Sequence, residues 1–344
     1  MTQLCARRAP VSGETTVSIR VVRALAEVVE SAGIPRAALL RAANLEPAQL
    51  DTTQIRLPRQ QYDRLCEVAI DLTGDPAFGL HWAEALSGTS FFPISQLLTH
   101  SITLRKAFET LAQFERVLSD DCGFGLSEHD GRVLVRCRSV EGESPRVQRL
   151  RAEMIAIGLF RLIRLFNPGA RMARVGFAFA RPPYYSEYAR VFEQTVDFER
   201  PFSGIEFNVS FMQGSSPQRD DDRYNAARSD AERSILRLSQ REPYATRVCN
   251  LLVQQRAPRR PMKSVARALG LSERSLRRRL VAEGKTYNDI VNDALLILAK
   301  RLLREEQRTI QETAFELGFS DPAAFYRAFK RWTGTTPGSY RQQS

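Results

Sequence analysis

The amino-acid sequence predicts an α+β N-terminal domain followed by an all-α domain with two helix-turn-helix units joined by a linker helix. Three observations support this fold class. Residues 19–213 mix helical periodicity with short alternating runs, and residues 264–334 contain one helical pattern twice. Between the two copies lies a stretch whose apolar residues recur at helical spacing.

The duplicated pattern consists of a short apolar helix, a glycine turn and a second, capped helix. Its Ala-x-x-Leu-Gly units begin 48 residues apart (314 minus 266), at Ala266 and Ala314. Glycine follows each first helix at the C′ position, where a positive φ costs little. Ser272 and Asp321-Pro322 have the residue types of helix starts. The turn glycines and inward-facing apolar pairs are Gly270, Leu276, Leu280, Gly318, Phe325 and Phe329.

The outward face of each second helix carries most of its basic side chains. Arginine matches both the O6/N7 edge of guanine and the oxygens of phosphate. These helices are therefore predicted to enter major grooves of double-stranded DNA. A solvated basic surface is the alternative interpretation of one such helix, and the duplication argues against it. The predicted DNA-binding residues are Arg274, Arg277, Arg278, Arg279, Ala323, Tyr326, Arg327 and Lys330.

A linker helix is predicted between the copies, from Tyr287 to Arg304. Such a helix is about 25 Å long, and successive major grooves lie about 34 Å apart. The linker would therefore hold both helix-turn-helix units rigidly, so that one chain reads two grooves on one face of the duplex. Its apolar stripe comprises Ile290, Val291, Ala294, Leu295, Leu298 and Leu302.

These residues resemble the C-terminal DNA-binding domain of the AraC/XylS family of bacterial transcription regulators. The resemblance is long and specific through the second helix-turn-helix unit and the residues after it. It implies that the base-reading residues lie at six positions of the two second helices: Arg274, Arg277, Arg278, Ala323, Tyr326 and Arg327. The matching residues are Gly318-Phe319-Ser320-Asp321-Pro322, Phe325, Arg327, Phe329-Lys330, Gly334, Pro337 and Tyr340-Arg341.

Two departures from the family pattern affect these expectations. Leu295 stands where the family usually has an arginine in the linker helix, so a polar anchor is missing there. Ala323 and Ala324 replace the more common polar residues. The second reading helix is therefore expected to contact fewer base edges and to hold mostly phosphates.

Length and charge separate the chain into two parts. With 344 residues it is long enough for two domains. The net charge is +11, and residues 241–344 hold 20 of the basic and 10 of the acidic side chains. This indicates nucleic acid as the partner of the C-terminal part and a different partner for the nearly neutral remainder. No apolar run reaches the ~18 residues of a membrane span, and no signal-peptide core is present, so the cytoplasm is the expected location.

In the N-terminal part, predicted helices precede the first strands. A hairpin is predicted around Asp130-Gly131, because this dipeptide favours a two-residue turn. The predicted domains are a flexible tail (1–18), an effector-binding and dimerisation domain (19–240) and a DNA-binding domain (241–344). Helices are predicted over 19–32, 58–73, 75–86, 94–100, 103–118, 147–166, 184–192 and 222–238, and strands over 123–127, 132–138, 175–180 and 205–209.

The sequence shows no pattern typical of an enzyme, such as a glycine-rich phosphate loop or G-x-S-x-G. We predict no catalytic residue, no metal site and no cofactor. The pair Asp120-Asp121 is expected to lie in a solvated turn. Five scattered cysteines without a C-x-x-C spacing are expected to be reduced thiols: Cys5, Cys66, Cys122, Cys137 and Cys249.

Residues 57–213 resemble the arabinose-binding-type N-terminal domain of a subgroup of the AraC/XylS family. The resemblance is more diffuse, and Phe192-Glu193-Gln194 departs from the Phe-Gly of many relatives. It implies a domain that senses a small molecule or mediates self-association, and it does not identify the effector-binding residues. The resembling segments are Leu72-Thr73-Gly74-Asp75-Pro76, Gly79-Leu80, Thr103-Leu104, Ala107-Phe108, Val175-Gly176-Phe177 and Arg181-Pro182.

The chain is therefore predicted to be a sequence-specific DNA-binding transcription regulator controlled by a small-molecule effector. A homodimer is expected, and RNA polymerase is a further candidate partner. Two alternatives stay open: a ligand-independent regulator whose N-terminal domain only dimerises, and a small-molecule enzyme tethered to DNA. The effector, the promoters and the direction of regulation are not specified by the sequence.

Overall fold

The computed structural model describes residues 15–42, 44–52, 55–121, 123–138, 140, 142–304 and 308–342. The chain forms two compact units, of which unit 1 ends at Leu236 and unit 2 begins at Arg237. Unit 1 mixes helices with two small sheets and unit 2 is helical, which confirms the predicted fold class. None of the helices in the described ranges combines the length and hydropathy that a membrane span requires.

Unit 1 begins with a helical half that carries a two-stranded antiparallel ribbon. Thr16 pairs with Pro58, so the end of the predicted flexible tail is a strand; residues 1–14 of that tail lie outside the described residues. A helix after Pro35 was not predicted, and Pro58 is the N-cap of its helix rather than the first helical residue. The elements are β1 (Thr16–Ser18), α1 (Ile19–Ser31), α2 (Arg36–Ala42), β2 (Arg56–Pro58), α3 (Arg59–Thr73), α4 (Phe78–Ala85), α5 (Ile94–Thr99) and α6 (Leu104–Phe114).

The other half of unit 1 contains a four-stranded antiparallel sheet in the order β3-β4-β6-β5. The predicted hairpin is confirmed: Asp130 and Gly131 form its two-residue turn with φ of 47° and 73°. The strand predicted over 175–180 is shorter, because the chain leaves the sheet after Gly176. The elements are β3 (Phe124–His129), β4 (Arg132–Cys137), α7 (Pro145–Phe166), β5 (Arg174–Gly176), α8 (Tyr185–Phe192) and β6 (Gly204–Asn208).

Helix α7 connects the two hydrophobic cores of unit 1. Ser144 caps it by accepting a hydrogen bond from the Val147 amide at 3.4 Å. Near its start, Val147 and Leu150 are buried with the N-terminal helices. Further along, residues such as Phe160 and Ile163 are buried against the sheet and α8. One helix of 22 residues therefore fixes both halves of unit 1 to each other.

A buried ion network replaces the solvated turn expected at Asp120-Asp121. The Arg59 guanidinium donates to Asp121 at 2.8 Å and pairs with Glu143, whose side chain is fully buried. Arg151 of α7 donates to the other oxygen of Glu143 at 2.8 Å. Buried charges of this kind are stable only when each has a partner. The prediction of a solvated turn was therefore wrong, because the partners come from distant segments.

The boundary between the units, at 236/237, lies within the long helix α9 (Asp221–Arg241). The buried apolar residues described in unit 2 form one hydrophobic core. A helix starting at Tyr244 and a C-terminal one starting at Pro337 were not predicted. The elements are α9 (Asp221–Arg241), α10 (Tyr244–Gln254), α11 (Met262–Ala268), α12 (Glu273–Ala282), α13 (Tyr287–Arg304), α14 (Ile310–Glu316), α15 (Pro322–Thr333) and α16 (Pro337–Gln342).

The described cysteines Cys66, Cys137 and Cys249 are free thiols, and burial raises the pKa of each to about 12. Cys5 and Cys122 lie outside the described residues. Within the described ranges, no group of His, Cys, Asp and Glu side chains is arranged to hold a metal ion.

The second core of unit 1 contains an ionisable group, Glu153 of α7, which is 2% exposed. The Tyr188 hydroxyl donates to its carboxylate, and Tyr184 does so at 3.4 Å. A methyl group at Gly79 would overlap the Glu153 carboxylate, so glycine permits the close approach of α4 to α7. Burial raises the pKa of Glu153 to about 7, because the charged form loses its hydration.

This raised pKa predicts that unit 1 loses stability as the pH increases. The folded state keeps the Glu153 proton up to about pH 7, whereas a solvated glutamate of the unfolded chain loses it near its ordinary pKa of 4.5. Across that interval the free energy of unfolding should fall by about 3 kcal/mol from this group. Replacing Glu153→Gln should flatten the slope and raise stability at pH 8.

Denaturant unfolding can measure this effect through tryptophan fluorescence. In a Trp332→Phe background, the buried Trp82 reports on unit 1, since the chain has two tryptophans. Glu27→Gln, at an exposed position of α1, is the control and should leave the slope unchanged. An identical pH slope with and without Glu153 would contradict the prediction.

Candidate DNA-binding interface

The first helix-turn-helix consists of α11 and α12. Gly270 follows α11 with a φ of +69°, a conformation that favours glycine, and it turns the chain towards α12. Ser272 caps α12 by accepting a hydrogen bond from the Ser275 amide at 3.1 Å. Leu276 and Leu280 are buried beneath the helix. The opposite face of α12 is therefore presented to solvent.

Four arginines of α12 are exposed, as the sequence predicted: Arg274, Arg277, Arg278 and Arg279. Two of them contact other side chains of unit 2. Arg277 pairs with Glu273 at 3.0 Å, one helical turn earlier. Arg279 donates to the Tyr244 hydroxyl at 2.6 Å, and its guanidinium lies 4.4 Å from the ring centroid. The face thus presents four cations, one of which is fixed by an aromatic ring.

The second helix-turn-helix consists of α14 and α15. Thr309 and Glu312 form a capping box at the start of α14, and Gly318 ends that helix with a φ of +72°. Asp321 caps α15 by accepting from the Ala324 amide at 2.8 Å. This backbone hydrogen bond lowers the pKa of the Asp321 carboxyl, since it stabilises the charged form. Phe325, with Phe329, is fully buried below α15.

The outward face of α15 differs from that of α12. Its four predicted contact residues are all exposed, namely Ala323, Tyr326, Arg327 and Lys330. Tyr326 is a large aromatic side chain with 40% exposure, and Lys330 lies in the last turn of the helix. This face therefore offers two cations and one aromatic ring, where α12 offers four cations.

Helix α13 joins the two helix-turn-helix units through a buried stripe. The predicted range is confirmed, and its 18 residues give a length of about 25 Å. Leu295, where the resemblance to the AraC/XylS family implied an arginine, is 2% exposed and belongs to the core. At this position the chain has an apolar contact in place of a polar anchor.

Two parts of unit 2 were missed by the sequence reasoning. The amides of Tyr244 and Ala245 at the start of α10 donate to Glu283 at 2.7 and 2.8 Å, which ties α10 to the end of α12. The α10–α11 loop, residues 255–261, contacts the second helix-turn-helix. Apolar residues at helical spacing (Ala245, Val248, Cys249, Leu252) could have revealed α10, whereas the loop contacts leave no local pattern.

Unit 1 contains a groove of about 600 Å³ between the ends of α4, α7 and α8. Its floor is apolar and its rim carries two arginines and two glutamates. Arg161 donates to the Ala83 carbonyl at 2.8 Å, and Arg164 pairs with Glu193 at 3.0 Å. The lining residues are Glu84, Ile157, Phe160, Arg161, Arg164, Leu165, Pro168, Gly169, Val191 and Glu193.

Comparison with known proteins gives two family matches. The arabinose-binding N-terminal domain of AraC transcription regulators matches residues 33–214, and a helix-turn-helix domain matches residues 265–343. The first match covers more than half of the chain.

Curated relatives match along most of the chain. The ornithine utilization regulator of Pseudomonas aeruginosa is 30% identical over 330 residues, 95% of this chain and 96% of its own. The regulator VirS of Mycobacterium tuberculosis is 26% identical over 284 residues, covering 81% and 82%. Among solved structures, the transcriptional regulator CdpR from Pseudomonas aeruginosa aligns over 94% of this chain and 98% of its own, with 21% identity and a TM-score of 0.44. These relatives are transcription regulators and not enzymes, and the chain belongs to the AraC family of transcription regulators.

Proposed function

We propose that this regulator places α12 and α15 in two successive major grooves, under the control of an effector bound by unit 1. The observation that carries the proposal is the mounting of two exposed, basic helices on one buried linker helix. The eight residues predicted from the sequence would supply the contacts. Arg274 and Arg278 share the middle of the α12 face, where base edges are within reach.

Helices α12 and α15 would contribute differently to DNA binding, with α12 contacting mainly bases and α15 mainly phosphates. The four cations of α12 suit base readout, and Tyr244 holds the Arg279 guanidinium in place before DNA binds. Ala323 offers α15 only a methyl group, so Arg327 and Lys330 would mainly hold phosphates. The contacts of α12 in its major groove would therefore supply most of the sequence preference.

The effector would bind in the groove of unit 1. Glutamates and arginines on its rim, around an apolar floor, suit a small zwitterionic metabolite such as an amino acid. The name of the Pseudomonas aeruginosa relative, an ornithine utilization regulator, points to the same chemical class.

Unit 1 would also mediate dimerisation of the protein. The regulator would contact RNA polymerase at promoters. It would act in the cytoplasm, where bacterial DNA lies.

Replacing an arginine in the middle of the α12 face should reduce sequence preference. Arg278→Ala should weaken binding to a selected site by about 1–3 kcal/mol and relax the preference at one base pair. Lys330→Ala should weaken all sequences about equally and lower the salt slope by about 0.9. Binding titrations at several salt concentrations separate the two effects. Unchanged affinity of Arg278→Ala for every tight site would exclude a base-reading role.

Removal of unit 1 should reduce avidity without changing the sequence preference. A fragment of residues 241–344 contains α10 to α16 and should fold and bind the same site. On an operator with two copies of the site, the intact chain should bind about 100-fold more tightly than the fragment, provided that it is a dimer. Equal affinities on that operator would contradict the dimer.

A saturating effector should stabilise unit 1. At about 100 times its Kd the gain is about 2.7 kcal/mol, which thermal unfolding of the full chain can detect. The screen begins with ornithine and other amino acids. By linkage, a hit that favours the DNA-bound state must bind more tightly in the presence of operator.

Two variants on α7 locate the effector. Arg164→Ala changes the groove and should abolish the thermal shift. Arg146→Ala removes an exposed arginine that pairs with Asp71 at 2.7 Å near the start of α7, and it should keep the shift. If no compound stabilises unit 1, the ligand-independent, dimerising alternative becomes the better description.

A further inference from the structure

The α10–α11 loop contacts the turn of the second helix-turn-helix across 58 residues of sequence. Arg259 Nε donates to the Leu317 carbonyl at 3.2 Å. The guanidinium also lies 4.7 Å from the centroid of the Phe319 ring. Between these contacts, Arg259 Cδ would be 3.4 Å from a Cβ at Gly318. The arginine therefore covers all three residues of the turn that leads towards α15.

A second arginine of the loop reaches the same helix-turn-helix from a strained backbone. Arg256 has a φ of +48° at the position after α10 where glycine is the usual residue. Two amides close the helix end there: Arg256 donates to Val253 and Ala257 to Leu252, each at 3.1 Å. The Arg256 guanidinium pairs with Glu316 of α14 at 2.9 Å. Glycine would adopt this backbone more easily but would lack that contact.

The other end of the loop is fixed to the first helix-turn-helix and to the linker. Arg260 Nε donates to the Ser264 hydroxyl at 2.8 Å, on α11. The Tyr287 hydroxyl, at the start of α13, donates to the Arg260 carbonyl at 2.6 Å. The loop is thus held at both ends, and it connects the two helix-turn-helix units independently of the linker helix.

A linker helix by itself fixes the distance between two bodies better than their rotation about its axis. A second contact, away from that axis, restricts the rotation. We propose that Arg256 and Arg259 are positioning residues that set the orientation of α15 relative to α12, and with it the groove spacing that the protein selects. The inference rests on the proposed two-groove binding. In it, both arginines act by contacting the second helix-turn-helix and not by contacting DNA.

DNA spacing is a sensitive measure of this orientation. Each inserted base pair moves the second groove by about 3.4 Å and rotates it by about 35°. A rigid pair of reading helices should therefore discriminate strongly against a site with altered spacing. A pair with rotational freedom should tolerate the change, at the expense of affinity for the preferred site.

The test uses the full chain and a duplex selected by the wild-type protein from a random library. Each protein is titrated with this duplex and with versions carrying one base pair more or less between the two contacted segments. Wild type should lose about tenfold or more on the altered duplexes. Arg259→Ala should bind the selected duplex about fivefold more weakly. Its affinity for the altered duplexes should change little. The ratio of its affinities for the selected and the altered duplexes should therefore be smaller than in wild type.

Three further variants make the result specific. Arg256→Gly removes the contact to Glu316 and relieves the backbone strain, so it should fold at least as well as wild type yet discriminate less. Arg259→Lys keeps the charge but not the planar guanidinium, and it should behave like Arg259→Ala. Arg267→Ala removes one exposed positive charge from α11 and should keep the spacing discrimination.

Hydrogen exchange of the full chain tests the contact between Arg259 and the turn of the second helix-turn-helix in the absence of DNA. The amides of Gly318 and Phe319 donate to Phe315 and Ala314 at 3.0 Å, and a peptide covering residues 314–320 should exchange faster in Arg259→Ala. A peptide covering residues 266–272 should keep its rate. Unchanged exchange at 314–320 would overturn the proposal.

The DNA measurements separate the remaining outcomes. If Arg259→Ala weakens all duplexes equally, reduces the salt slope by about 0.9 and is restored by Arg259→Lys, the residue binds phosphate and the proposal is wrong. If wild type itself shows no spacing preference, two-groove binding fails and the spacing role fails with it. Faster exchange together with narrowed discrimination supports the proposal.

Discussion

The buried stripe of α13 is the constraint on which unit 2 depends. Leucines such as Leu298 and Leu302 are almost fully buried, and each contributes about 2 kcal/mol relative to an exposed side chain. Core residues of both helix-turn-helix units belong to the same cluster as this stripe. A change in the packing of α13 therefore alters the positions of both α12 and α15. Leu295 extends the apolar contact, so the linker relies on packing there.

Helix α7 has the corresponding role in unit 1, but its surroundings are more polar. Arg151 and Glu143 pair beside it, and Glu153 lies between two tyrosines in the second core. Burial of such groups makes stability sensitive to pH and to the loss of single partners. The groove near the end of α7 lies close in sequence to these polar contacts. The proposed effector site and the stability of unit 1 thus depend on the same helix.

Membership in the AraC family explains the two-part design, and the outward faces of α12 and α15 differ from each other in this chain. The α12 face carries four arginines, whereas α15 presents alanine, tyrosine, arginine and lysine. Arg259 does not belong to either face, yet it lies against the turn before α15. Charge alone therefore does not separate the arginines proposed to contact DNA from those that hold the protein together. Their contacts within unit 2 make that distinction.

The sequence by itself determined the helix-turn-helix units, because their signals are local. Gly270 and Gly318 end helices, Ser272 and Asp321 cap them, and the apolar pairs recur four residues apart. Such interactions join residues within about one helical turn, so they leave a pattern in the chain. The pairing of β1 with β2, the burial of Asp121 and the contact of Arg259 with the second turn were decided by the tertiary structure. Those contacts join residues that are tens of positions apart, and no local periodicity records which distant partner a side chain will meet.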